Sequence, residues 1–180
     1  MRILTRSTLC FVLVACSSST PVIPTSTTPT TSTTVPAATT TTPPVTTTKP
    51  DATPPLLAGH EIRDVRVGDR VLRLAIADTP GLRATGLMGV TDLGNLDGML
   101  FYWRHTPDDG FWMKDTVIPL DIAWFDMDGS FIGLASMVPC DKDPCISYSP
   151  GDGIDYRYAI EADPGDLDWI DEDTMILYTD

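Results

Sequence analysis

Residues 17–55 are composed almost entirely of Thr, Ser, Pro, Val and Ala, and this stretch limits what the chain can fold into. It has neither helical nor strand periodicity and almost nothing to bury, so it cannot offset the entropy lost on ordering. We therefore predict a disordered linker, either a bare spacer or a carrier of O-glycans. Residues 56–180 remain for one globular domain, a length that supports an independent core.

The N-terminus has the organisation of a secretory signal peptide. Two arginines precede an apolar run that is too short to span a membrane as a helix. Residues 13–16, Leu-Val-Ala-Cys, resemble the lipobox of bacterial lipoprotein precursors. The resemblance implies removal of residues 1–15 and lipidation of Cys16, so that a linker over residues 16–55 anchors the domain to the cell membrane, outside the cytoplasm. An ordinary signal peptide with an incidental cysteine is the alternative.

The predicted domain is strongly acidic. The chain has a formal net charge of −13, and all but one of its 25 acidic residues lie in residues 56–180. A field of this sign repels phosphate backbones and anionic lipid head groups. We therefore expect no nucleic-acid partner and interpret the charge as a solubility surface, with an acidic binding face as the alternative.

The residue pattern of the domain predicts a β-rich α+β fold. Short apolar or alternating segments with many β-branched and aromatic residues are typical of strands. One short helix is expected, with Thr79 as its N-cap, Pro80 in its first turn and Gly89 at its end. We expect a small barrel- or sandwich-like domain with one or two short helices. The predicted strands are residues 61–67, 71–77, 99–103, 111–113, 122–126, 131–138, 156–162 and 175–178.

Two loops contain residues that also occur in metal and redox sites. Residues 126–129, Asp-Met-Asp-Gly, lack the further ligands of a calcium loop and are interpreted as a hairpin turn. In an oxidising compartment we expect Cys140 and Cys145 to form a disulfide, with a redox-active thiol pair as the less favoured alternative. A zinc site would need further ligands, and His60 and His105 lie in unrelated segments. We therefore expect no metal and no cofactor.

Five short motifs occur in order along the domain. They are Arg-Ala-Thr-Gly-Leu-Met at 83–88, Gly-Met-Leu-Phe at 98–101, Phe-Trp-Met-Lys-Asp-Thr at 111–116, Ile-Pro-Leu-Asp at 118–121 and Tyr-Ala-Ile-Glu at 158–161. Together they resemble the signature segments of the domain of unknown function 192 family. The resemblance implies a small β-rich domain and brings no established reaction. The chain departs from the family at Asp115, where Asn is usual, and at Glu172 and Asp173, where Gly-Asp is common.

The polar and amphipathic members of these motifs are candidate ligand-binding residues. In an extended strand, Trp112, Lys114 and Thr116 would share one face, where an indole, an ammonium and a hydroxyl suit a sugar or a small anion. The full candidate set is Arg83, Trp112, Lys114, Thr116, Asp121 and Glu161. All except Thr116 are expected to converge in space, because buried polar groups must be paired.

These features favour a monomeric cell-envelope lipoprotein whose non-catalytic domain binds a polar small molecule or an envelope glycan. Neither a nucleophile–histidine pair nor a phosphate loop is visible in the sequence. One alternative is a carbohydrate hydrolase with Asp121 and Glu161 as its two carboxylates. Another is an accessory subunit that docks a second envelope protein. A third is a buried ion-pair network, Arg83 or Lys114 against these carboxylates, with a purely structural role.

Overall fold

The structure, a computed structural model, describes residues 52–107 and 110–179. The predicted signal peptide, the predicted lipidation site at Cys16 and most of the predicted linker lie outside the described residues. The folded part begins earlier than residue 56, because the Asn95 amide donates to the Ala52 carbonyl at 3.2 Å. A 3-10 turn at Pro55–Leu57 follows, and the side chain of Leu57 is buried in the core.

Nine strands and one short helix make up the described part of the chain, and the residue pattern predicts eight of these strands and the helix. Every predicted strand is confirmed to within two residues at each end, and a further two-residue strand, β7, was not predicted. The elements are β1 (Ile62–Val67), β2 (Arg70–Ala77), α1 (Pro80–Thr85), β3 (Gly98–Tyr102), β4 (Phe111–Trp112), β5 (Leu120–Phe125), β6 (Phe131–Met137), β7 (Ser147–Tyr148), β8 (Tyr158–Ala162) and β9 (Ile176–Leu177).

Seven of these strands form one curled sheet with the shape of a half-barrel, which confirms the β-rich fold class. Its strand order is β6-β5-β8-β3-β2-β1-β9, and β4 and β7 form a separate two-stranded sheet. All the neighbouring pairs are antiparallel except β2 and β3, which run parallel. A parallel pair needs a crossover connection, and α1 with the loop after it provides that crossover.

The large sheet is covered on both faces, so its central strands are buried throughout. All residues of β5 and of β8 are buried, and successive side chains point to opposite faces. What we call the first face includes Met99, Ile122 and Trp124, which pack with residues of the α1–β3 loop and of β4. The second face includes Ala123 and Ile160, and the segment before β9 covers it.

Helix α1 begins as predicted and ends earlier than predicted. The Thr79 hydroxyl accepts from the Leu82 amide at 3.3 Å, and Pro80 is the first helical residue. The end at Gly89 was wrong: the helix stops at Thr85, and Gly86, with a φ of 48°, is its C-cap. A side chain at Gly86 would also press on the Phe101 ring, so the backbone turns where only glycine fits.

Two of the loop predictions are confirmed. Asp126 closes the β5–β6 hairpin, because its carboxylate accepts from the amides of Asp128 and Ser130, each at 2.9 Å. Cys140 and Cys145 are disulfide-bonded. No helix in residues 52–107 or 110–179 is long and apolar enough to cross a membrane.

Candidate functional site

A cleft of about 650 Å³ opens at the first face of the sheet, between the α1 segment and the β4–β7 sheet. Its described walls combine aromatic and apolar side chains with polar surface of nearly equal extent. Phe101 comes from β3, and Phe111 and Trp112 come from β4. The apolar and aromatic residues that line it include Leu87, Met88, Phe101, Trp103, Phe111 and Trp112. A concave site that combines aromatic surface with a few placed polar groups can bind a small molecule.

Among the described lining residues of this cleft, Glu161 carries the one carboxyl group. It lies on β8, its strand neighbours are Met99 on β3 and Ile122 on β5, and its side chain is on the first face. Only 5% of the residue is exposed, and within the described residues its carboxyl has no hydrogen-bond or ion-pair partner. This desolvation raises the pKa of Glu161 to about 8, because burial disfavours the charged form. The group is therefore protonated for most of the time at neutral pH.

Gly98 holds the backbone of Glu161 close to β3. A Cβ atom at position 98 would collide with the carbonyl oxygen of Glu161. Since the obstacle is backbone in the middle of a buried sheet, it cannot move away as a flexible side chain would. Gly98 therefore has a packing role: it allows β3 to approach β8 closely, which fixes the position of Glu161.

Arg83 lies at the rim of the cleft, and its guanidinium is bound to backbone carbonyls. One nitrogen donates to the carbonyls of Asp78, at 2.6 Å, and of Tyr102, at 2.9 Å. The guanidinium also lies over the Trp103 ring, 5.2 Å from its centroid. Burial lowers the pKa of Arg83 from its ordinary value. The side chain ties α1 to the end of β3 and thereby positions one wall of the cleft.

Trp112 and Lys114 lie side by side, but only Trp112 lines the cleft. Trp112 is 52% exposed, and the Lys114 ammonium lies 5.5 Å from the centroid of its ring. The same ammonium is 4.0 Å from the carboxylate of Asp143, in the disulfide loop. Lys114 is thus directed along the loop and is not among the described lining residues.

Thr116 reaches the cleft through a turn, since the extended strand stops at Trp112. Asp115 has a left-handed backbone with a φ of 56°, a conformation that Asn and Asp tolerate better than other non-glycine residues. Its carbonyl accepts from the Gly89 amide at 2.9 Å, which joins this turn to the loop after α1. The prediction that Trp112, Lys114 and Thr116 share one face was therefore wrong for Thr116. The Thr116 side chain is buried, whereas the Trp112 side chain is exposed.

Asp121 is separated from the cleft by the sheet itself. It pairs with Ala162 in the β5–β8 register, and Ala162 belongs to the core of the second face. Its carboxylate accepts from the Gly165 amide at 2.7 Å. The expected convergence is thus incomplete: Arg83, Trp112 and Glu161 line one cleft, while Lys114 lies beside it and Asp121 lies on the opposite face.

Two alternative arrangements fail on this geometry. A hydrolase with Asp121 and Glu161 across one cleft is wrong, because the two carboxyls are on opposite faces. The closed ion-pair network is wrong as well, because Arg83 binds carbonyls and Lys114 faces Asp143. Within the described residues no group of three or more His, Cys, Asp or Glu is placed to hold a metal ion.

The sequence reasoning missed the aromatic wall. Phe101, Trp103 and Phe111 pack as a cluster, with Phe101 and Phe111 edge to face at 5.0 Å between centroids. In the sequence they are indistinguishable from core residues of strands. Ser147 also lines the cleft, on the two-residue strand β7, which is too short to give a pattern. The one sequence signal for this wall is that aromatic residues recur in the motifs at 98–101 and 111–116.

Comparison with known proteins gives a family and two related structures. The model of the family DUF192, described as Uncharacterized ACR, matches residues 63–175. The crystal structure of a protein of unknown function from Novosphingobium aromaticivorans is 28% identical, with a TM-score of 0.59, covering 71% of this chain and 91% of that one. A protein from Sinorhizobium meliloti, named for a proposed role as a transcription regulator, is 23% identical with a TM-score of 0.56, covering 66% and 94%. No curated protein matches the chain.

Proposed function

We propose that this chain, which belongs to the DUF192 family, is a lipid-anchored protein of the bacterial cell envelope whose domain binds a small polar ligand without transforming it. The ligand site is the cleft on the first face of the sheet. The candidates are a polar small molecule or a fragment of an envelope glycan. Trp112 supplies an exposed ring at the mouth of the cleft, Glu161 a polar group at depth, and Thr116 a hydroxyl on the wall.

The observation behind this proposal is the Glu161 side chain, which is 5% exposed and faces the cleft without a hydrogen-bond or ion-pair partner within the described residues. Desolvation of a carboxyl costs free energy that a hydrogen-bond donor can offset. The Glu161 side chain lines a cleft that a small molecule can enter. A ligand that pairs with the carboxyl would recover part of the cost of its burial.

Binding without catalysis is favoured by what the lining offers. The described lining residues include one carboxyl and no histidine, and Cys145 is held in a disulfide. General acid–base catalysis by two carboxyls requires both of them on the same substrate, and Asp121 is on the other face of the sheet.

The envelope location is proposed from the N-terminal sequence. Residues 13–16 match the lipobox pattern at the end of a signal-type apolar run, and residues 17–55 have the composition of an extended spacer. A lipid on Cys16 would then leave the domain at the outer surface of the membrane, where it meets envelope sugars and small solutes.

A ligand screen that follows thermal unfolding tests the proposed binding function. Polar small molecules and glycan fragments are added to the purified chain, and a ligand at one hundred times its Kd should add about 2.7 kcal/mol to the free energy of unfolding. Trp112→Ala should weaken that ligand at least about tenfold with little loss of stability, because the ring is half exposed. Trp169→Ala, which removes a ring on the second face, should leave the binding unchanged. A hit that is insensitive to Trp112→Ala would contradict the proposed site.

A further inference from the structure

We infer that the ligand of this cleft is an organic cation, an amine or a guanidine whose charge pairs with Glu161. This inference rests on the proposed binding function and names the chemical class of the ligand. Glu161 is the acceptor, and the aromatic wall of Phe101, Trp103 and Phe111 is the surface on which the body of the ligand packs.

The pairing preference follows from the surroundings of the carboxyl. Its neighbours on the adjacent strands, Met99 and Ile122, are apolar, and within the described residues nothing donates a hydrogen bond to it. An ammonium or guanidinium supplies donors and the opposite charge at once, and charge-assisted hydrogen bonds are roughly twice as strong as neutral ones. A hydroxylated neutral ligand supplies only a neutral hydrogen bond, and an anion brings no opposite charge for the carboxylate to pair with.

The wall of the cleft also favours a cation. The Phe111 ring meets the rings of Phe101 and Trp103 edge to face, with centroid distances of 5.0 Å and 5.7 Å, and Phe101 and Trp103 are stacked at 6.2 Å. Ring faces carry partial negative charge, and a cation within about 6 Å of a ring centroid is attracted to it, more so where water is excluded. Aromatic rings are a known recognition surface for organic ammonium groups.

No cation of the described lining competes for Glu161. Arg83 is the other charged side chain among the described lining residues, and its guanidinium is committed to the carbonyls of Asp78 and Tyr102 and to the Trp103 ring. Arg83 does not titrate in the physiological range, so Glu161 is the group of this lining that responds to pH. The net charge of −13 attracts cations to the molecule as a whole.

A cation must ionise Glu161 in order to pair with it, which links binding to pH. In the free chain the pKa of Glu161 is about 8, so at pH 7 about nine tenths of the carboxyls are protonated. Binding of a cation there should release close to one proton. The apparent affinity should rise about tenfold between pH 6 and 7 and about fivefold between pH 7 and 8, because the ionised fraction of the carboxyl rises by these factors.

Three probes of equal size that differ in their head group test the inference: benzylamine, benzyl alcohol and benzoate. Each is titrated into the purified full-length chain by calorimetry at pH 7, in two buffers of different ionisation enthalpy, so that proton release is measured directly. We expect benzylamine to bind at least about tenfold more tightly than the alcohol, benzoate to bind most weakly, and benzylamine alone to release a proton.

Two matched carboxyl variants complete the experiment. Glu161→Gln should remove both the preference for the amine and the proton release, and thermal unfolding verifies that this variant is folded. Asp121→Asn changes a buried carboxyl on the opposite face and should leave both unchanged. Equal affinity for amine and alcohol, amine binding that survives Glu161→Gln, or no amine binding at all overturns the inference. If benzyl alcohol or another neutral ligand still binds and Trp112→Ala abolishes it, the proposed function stands and only the cation is wrong.

Discussion

Asp121 and Glu161 lie on adjacent antiparallel strands, and their carboxyls point to opposite faces of the sheet. Asp121 pairs with Ala162 and Glu161 pairs with Ile122, so the two acids are offset by one position in the register, and one position reverses the face. Both are buried, but the carboxylate of Asp121 accepts the Gly165 amide, whereas that of Glu161 meets the cleft without a partner. Asp121 holds the turn after β8, and Glu161 is the group that we propose binds a ligand.

Replacement of Asp121 should affect stability and not binding. Asp121→Ala removes the acceptor of the Gly165 amide and should cost about 1–3 kcal/mol in the free energy of unfolding. Urea denaturation measures the cost, and the affinity for benzylamine measures binding in the same variant. A variant of unchanged stability and lost binding would place Asp121 in the site and contradict the arrangement of the two faces.

Glu161 should make the protein less stable as the pH rises. Its pKa is about 8 in the folded chain and near 4.5 when unfolded, so the native state holds a proton that the unfolded state has lost. This contribution is fully present below about pH 4.5, falls as the pH rises, and is gone above about pH 8, a difference of about 3–5 kcal/mol. Glu161→Gln should lack this slope and be more stable than the parent at pH 8. Urea unfolding of both proteins at several pH values provides the comparison. If the free energy of unfolding changes with pH equally in both proteins, the pKa of Glu161 is not raised by burial.

Gly98 should be intolerant of any side chain. Gly98→Ala places a Cβ against the carbonyl oxygen of Glu161, and the separation of β3 and β8 it requires should cost about 2–4 kcal/mol. Gly81→Ala is the matched control, since nothing lies within 4 Å of its added Cβ and alanine favours the helix by about 0.5–1 kcal/mol. Equal effects of the two substitutions on the free energy of unfolding would show that the close approach at Gly98 is relaxed in solution.

The disulfide should stabilise the wall of the cleft. Cys140 and Cys145 close a short loop, for which chain entropy predicts about 2 kcal/mol, and Cys145 lines the cleft. Replacement of both cysteines by serine should lower the free energy of unfolding by that amount and weaken ligand binding. Thiol labelling of the denatured, unreduced protein checks the bond itself, and two labelled cysteines in the domain would disprove it.

Cys16 should carry lipid at the N-terminus of the mature protein. Mass spectrometry of the N-terminal peptide is expected to show an acylated Cys16, and Cys16→Ala should release the protein from membranes. A mature chain that begins at another residue, or one that is soluble with Cys16 intact, would refute the lipoprotein proposal.

Most of the secondary structure was predictable because it depends on local patterns. The β1–β2 hairpin, the Thr79 cap of α1 and the Asp126 turn are each determined by residues close in sequence. The end of α1 was misplaced by three residues, because Gly86 and Gly89 both have a positive φ and their sequence context does not show which of them ends the helix. The parallel pairing of β2 with β3 depends on the sheet order, which local patterns do not contain.

The candidate site was predictable in its residue types and not in its geometry. Glu161, Trp112 and Arg83 were identified as polar members of apolar motifs, and the cleft includes all three. The placement of Asp121 on the other face depends on a one-residue offset between β5 and β8. The direction of Thr116 depends on the left-handed turn at Asp115. Both are set by long-range packing, which no motif reveals.

The most direct test of the account is a carbon-13 NMR titration of the Glu161 carboxyl in the purified full-length chain, with Glu161→Gln to assign the signal. We expect a midpoint near 8 in the free chain, because burial disfavours the ionised carboxyl, and a midpoint several units lower when benzylamine is bound. A free-chain midpoint near the ordinary value of 4.5 would show that the carboxyl is solvated or paired, and it would contradict the proposal that Glu161 is held ready for a ligand.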